Sequence, residues 1–287
     1  MRRAIAHALI ISLLLAVVPM ISGCQSESKK HLYKAEDLFE KRDLEGAKKE
    51  LLLAIKADPN NVDAHKSLAH IDEFLGDQQG AAKEYEEAST LDPSDQKILQ
   101  KARMYRAIQE MIDNASKAVD QVKSGDTEGG MRALKDALIA SKSKYLRDKT
   151  IGYLKQAIPI VVQQADQQAK DKKYADAIKT YDQAIRGYMM LAEATGAHTL
   201  DPGADAVLHS ANEAAKDGGT PDATFRMLND VLTVDPDNKV ANMELAQVYL
   251  RRTPPDYETA ADLEERAGAP DADVKKLRDE AKHHRKG

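Results

Sequence analysis

Residues 62–95 read VDAHKSLAHIDEFLGDQQGAAKEYEEASTLDPSD. Leu68 and Ala69 in the first half, and Ala81, Tyr85, Ala88 and Leu91 in the second, recur with the period of a helix face. Gly76-Asp77 divides the halves, and Asp92-Pro93 closes the second because proline cannot continue a helix. The preceding residues repeat the pattern with Ala35, Leu38, Asp43, Ala47, Leu51, Ala54 and Asp58-Pro59-Asn60-Asn61, so that Pro59 and Pro93 stand 34 residues apart. Self-similarity at a fixed period of this length marks stacked helical hairpins, each of which buries its apolar face against the next.

These residues resemble the tetratricopeptide repeat (TPR). On that resemblance Ala69 and Ala81 let the two helices of a hairpin approach closely and Gly76 makes the turn between them. Tyr85 fills the space between helices and Ala88 admits the next hairpin. The implied fold is all-α, a right-handed α-solenoid of TPR-like helical hairpins with about 12–13 helices. Farther along, Ala165, Tyr174, Ala177, Tyr181 and Ala184 repeat the pattern, Ala211, Leu228 and Asp235-Pro236 do so more loosely, and Leu245-Ala246 with Tyr249 opens a sixth unit.

The middle departs from the pattern. Ser124-Gly125-Asp126, Leu134 and Ala137 look like half a repeat, but Gly130 stands where alanine is expected and no Asp-Pro follows. Unbroken helical pattern runs from Ser94 to Lys123 and from about Lys144 to Lys170, which means long helices or inserted ones. Pro159 would kink the second run or start a new helix. The organisation expected is therefore two well-matched units at 31–95, an atypical helical segment with a partial repeat at 96–157, degenerate units at 158–267, and a capping helix with a basic tail at 268–287.

Composition agrees with helices: 13 of 287 residues are aromatic, none of them Trp, and the hydrophobic share is 42%. Lys plus Arg number 42 against 47 Asp plus Glu, a balance that argues against a general nucleic-acid binder. Residues 1–23 read as a signal peptide, with Arg2 and Arg3 before the apolar stretch Ala4 to Ile21. The sole cysteine follows in Ile21-Ser22-Gly23-Cys24, which resembles the lipobox of bacterial lipoproteins. The resemblance implies acylation of Cys24, a palmitate-type anchor in the bilayer, and residues 24–30 as a short tether. Gln25, where an aspartate would signal inner-membrane retention, implies the outer membrane, with the folded part facing the periplasm.

No constellation for catalysis emerges. There is no glycine-rich phosphate loop after a strand, and no thiol remains once Cys24 is acylated. His65 and His70 are five apart, about 140° around a helix, which does not form the pair that zinc proteases use. They read as solvent-facing histidines. Met189-Met190, beside Tyr188 and Leu191, reads as packing or as an adaptable binding patch. The sequence thus points to a non-enzyme without metal or cofactor, whose partners are other envelope proteins and the bilayer, with no nucleic acid and no small-molecule substrate.

In stacked hairpins the first helices line a concave face that takes protein segments. The register places Leu32, Glu36 and Phe39 there in the first unit and Lys66, His70, Glu73 and Phe74 in the second. Repeats that clamp a C-terminal carboxylate use Lys and Asn at groove positions, and Leu32 and Glu36 stand there instead. The expected function is a lipid-anchored interaction scaffold in envelope or outer-membrane assembly. The alternatives are a recruiter of peptidoglycan-modifying enzymes and a pilus or secretion pilotin.

Overall fold

The computed structural model describes residues 27–218 and 220–284. Residues 1–23, expected as a signal peptide, and Cys24, expected to be acylated, lie outside the described residues, as do Arg285 and Lys286 of the expected basic tail. Among the described residues there are thirteen α-helices, one 3-10 turn and no strand. The chain divides into two compact units, with the boundary at Glu110–Met111.

The first unit holds α1 (residues 27–40), α2 (Leu44–Ala57), α3 (Val62–Leu75), α4 (Gln78–Leu91) and the beginning of α5 (Gln96–Lys123). Its helices are short because the sequence stops them. Asp43 and Asp77 cap α2 and α4, each accepting from the backbone N–H three residues on, at 2.9 Å. Gly76 ends α3 at φ 78°, a left-handed position that costs glycine nothing. Ala47, Ala54, Ala81 and Ala88 are fully buried at the seams, and Tyr85 and Leu51 fill the gaps between them. Residues 27–30, expected as tether, belong instead to α1. Ser28 is fully buried there, donating to the Ala54 carbonyl and accepting from Asn61 Nδ2, both at 2.8 Å.

The second unit continues α5 and adds α6 (Thr127–Ala140), α7 (Lys144–Lys170), α8 (Tyr174–Thr195), α9 (Gly203–Asp217), the 3-10 turn Pro221–Thr224, and α10 (Phe225–Val234) to α13 (Asp271–His284). Between these last two come α11 (Lys239–Arg251) and α12 (Tyr257–Ala267). The unbroken runs in the sequence are long helices, 28 residues in α5 and 27 in α7, and no extra helix is inserted. The domain boundary expected at 157/158 therefore falls inside a helix. α7 neither stops nor restarts at Pro159, because Leu154, Ala157, Ile158 and Val161, on both sides of the proline, are buried in one continuous core. That packing offsets the hydrogen bond the ring removes. Gly130 has its own reason: a Cβ there would lie 2.5 Å from the Ala118 carbonyl oxygen and from a Val122 methyl. α6 approaches α5 too closely for the alanine the repeat pattern asks for. α13 is mostly polar and buries Val274.

Candidate interaction face

In the first unit, four of the residues picked from the register gather at one place. Glu36 and Phe39 of α1 and His70 and Phe74 of α3 border a notch of about 270 Å³, whose floor comes from Ala35, Leu51 and Ile71. The Phe39 and Phe74 rings meet at 5.6 Å between centroids, tilted by 50°, a geometry favoured by aromatic quadrupoles. Both stay in solvent: Phe74 is 65% exposed and Phe39 42%. Chemistry explains why this is unusual. Two phenyl rings kept in water on one face forgo about 25 cal/mol for each Å² they would bury. Glu36 has no ion pair or hydrogen bond among the described residues, so a carboxylate stands free at the edge of an apolar notch.

The other three candidates do different work. Leu32 is half-buried against the core made by Ala35, Ala47, Leu51, Leu68 and Ile71, so it belongs to the interior and not to the notch. Lys66 reaches Asp95 at 3.0 Å, tying α3 to the turn before α5. Glu73 accepts hydrogen bonds from Tyr85 Oη at 3.0 Å, Tyr105 Oη at 2.8 Å and Lys101 Nζ at 2.7 Å. Burial alone would raise its pKa. The three donors outweigh that and hold it below the ordinary carboxylate value, while Tyr85 and Tyr105 are pushed well up, chiefly by burial. Glu73 thus locks two stacked tyrosines, 5.6 Å apart, and is not available to a ligand.

His65 overturns the expectation of a solvent-facing side chain. It is buried, 6% exposed, with Nδ1 2.6 Å from Glu84 and Nε2 3.0 Å from the Pro59 carbonyl. The Glu84 bond raises its pKa against the effect of burial. One repeat earlier, His31 and Glu50 form the same pair at 2.7 Å. A 34-residue shift relates both partners, a signal present in the sequence but invisible to a search for metal-ligand spacing. His70, in contrast, is exposed, as expected. Beside these pairs, buried Asp72 has its pKa raised by burial, opposed by Lys48 at 2.6 Å, which also reaches Asp77 at 3.0 Å.

Among the described residues no group of three or more His, Cys, Asp or Glu is placed to hold a metal ion, and no helix is long and apolar enough to cross a membrane. The His31–Glu50 and His65–Glu84 pairs each join the two helices of a hairpin.

No protein-family model matches the chain, and no curated protein matches it either. Among solved structures it is similar to the TPR domain of P58(IPK), at 15% identity over 89% of this chain and 97% of that one, with a TM-score of 0.30. It is also similar to the TPR2AB domain of yeast Sti1 in its complex with pHSP90, at 14% identity over 90% and 99%, TM-score 0.32. A third is pilF of Pseudomonas aeruginosa, at 15% identity over 89% and 82%, TM-score 0.25.

Proposed function

We propose that this chain is a non-catalytic interaction scaffold, anchored by lipid at Cys24 on the periplasmic side of an outer membrane, that holds segments of other envelope proteins against α1 and α3. The observation that carries the binding half is the Phe39–Phe74 pair, two exposed rings over a notch. An apolar side chain entering there would cover both rings, and a basic neighbour would meet Glu36. The anchoring half rests on Ile21-Ser22-Gly23-Cys24, with the sole cysteine at the cut. Two or more acyl chains, at about 0.8 kcal/mol per buried methylene, would hold it stably.

The test is crosslinking of the full-length protein in its native membrane, wild type beside Phe39→Ser/Phe74→Ser, with attached proteins read by mass spectrometry. Envelope-assembly proteins captured by the wild type and lost from the folded variant support the reading; capture unchanged by the variant overturns it. Hydrolases of the cell wall in that differential set would turn it into a recruiter, and pilus components into a pilotin. Cys24→Ser is expected to release the protein from the membrane fraction and to abolish acylation on mass analysis. A variant that stays membrane-bound removes the anchor from the proposal.

A further inference from the structure

A cavity of the second unit lies on helices the reading above does not use. It measures about 590 Å³, in the range of ligand-binding sites, and lies between α6 and the C-terminal part of α8, with Val234 at its edge. Its position follows from helix length. α8 has 22 residues where α2, α4 and α6 have 14, and Met189, Met190 and Glu193 of the cavity stand in that extra length. These helices are the second members of their hairpins, whereas the notch of the first unit is made by first members.

Three features define what fits. The walls are methionine-rich, with Met131, Met189 and Met190, side chains whose flexible thioethers mould to unlike apolar shapes. Gln183 lines the cavity, and its buried Oε1 has no hydrogen-bond partner; a buried acceptor left unpaired is unfavourable until a donor reaches it. Finally, most charges at the rim are matched. Arg132 holds Glu128 at 2.9 Å and Arg186 holds Asp182 at 2.8 Å, which leaves Lys135 on α6 and Glu193 on α8 without partners among the described residues.

A fatty acyl chain would cover the methionines but offers the Gln183 amide nothing. An anion alone would meet Lys135 and be repelled by Glu193. A peptide supplies all three: an apolar side chain, a backbone amide with both donor and acceptor, and side chains of either sign. We infer that this cavity is a second peptide-binding site, which takes a segment carrying a bulky apolar residue flanked by an acid facing Lys135 and a base facing Glu193. It shares no residue with the Phe39–Phe74 notch, and either site can fail without the other.

The experiment selects a displayed library of random short peptides on the full-length protein and measures the enriched peptides by fluorescence anisotropy. The site requires peptides with an apolar residue between opposite charges, whose affinity falls about tenfold in Lys135→Glu and below detection in Met190→Glu, yet is unchanged in Phe39→Ser/Phe74→Ser. Inverting both peptide charges should restore binding to Lys135→Glu/Glu193→Lys. Methyl-labelled methionine spectra keep the test independent of folding losses, because Met189 and Met190 signals must shift when peptide is added to the wild type. No enrichment, enrichment indifferent to Met190→Glu, tighter binding of dodecanoate than of any peptide, or no rescue by the double charge swap would each overturn the assignment.

Discussion

The two units solve the same packing problem in different ways. In the first, two separate small cores each join a hairpin to the first helix of the next, one around Leu51 and Leu68 across α1, α2 and α3 and another around Tyr85 and Tyr105 across α3, α4 and α5, and histidine–glutamate pairs at a 34-residue interval join the helices. In the second, a single core runs from Ala115 to Leu263 and spans the long helices. Short helices with strict caps force each residue into its register, and the sequence shows it. Long helices set their own register by packing, so residue types shift from what a repeat requires. The contrast is sharpest one turn into the second helix of a hairpin, four residues past the capping aspartate. Ala47 and Ala81 occupy it in the first unit and Gly130 in the second.

Exchanging these residues should break the symmetry most strongly. Gly130→Ala is expected to destabilise by about 2 kcal/mol, since backbone at Ala118 and Val122 cannot yield as a side-chain tip can. Ala81→Gly should cost about 1 kcal/mol, mainly through helix propensity. Denaturant unfolding of both variants measures the difference, and equal effects would mean that α5 and α6 can part cheaply.

Next comes the buried pair of the first unit. His65→Gln should cost about 1.5–2 kcal/mol near pH 6, because it removes a charge-assisted bond to Glu84. Folding raises the His65 pKa above its ordinary 6.5, so its contribution is complete below that value and fades as pH rises through the folded-state value. Glu84 runs the other way. Burial pushes it up, but His65 and Lys83 hold it below its ordinary 4.5, so its contribution is complete above that value and fades in acid. The gap in melting temperature between wild type and variant should therefore be widest between these values and narrow on both sides. A gap that does not change with pH would mean that the pair acts as a neutral hydrogen bond.

The smallest effects concern the turns inside the first four hairpins, α1–α2 to α7–α8. Their left-handed residue is Gly76 or Gly125 in two hairpins but Arg42 and Lys172 in two others, at φ of 61° and 60°. Gly76→Ala should cost about 1 kcal/mol and Arg42→Gly should gain up to that amount, read by thermal unfolding. Lys173 follows the same turn and begins α8 without a side-chain cap, where Asp43, Asp77 and Asp126 each supply one. Lys173→Asp is expected to stabilise by about 0.5–1 kcal/mol, and no gain would show that α8 is already held by its packing.

Much of the notch was legible, and the reason is periodicity. Glu36, Phe39, His70 and Phe74 were placed together by a register in which a helix face repeats every three to four residues and a hairpin every 34. Leu32, Lys66 and Glu73 share that register, yet one is core, one bridges to Asp95 and one is held by two tyrosines and a lysine. A register gives direction, not neighbours: the groups that capture Lys66 and Glu73 come from the following turn and helix. His65 was misread for the same reason, since its partner stands 19 residues away on the facing helix.

By itself, then, the sequence determined the helices, their caps and turns in the first unit, because these depend on residues within a few positions of one another. Only the tertiary structure decided that α7 passes through Pro159, that Gly130 is required by a backbone 2.5 Å away, and that Met131, Met189 and Met190 meet around one cavity. Each of those outcomes depends on how closely two helices approach, and that distance is set by the whole packed core at once, not by any stretch of chain.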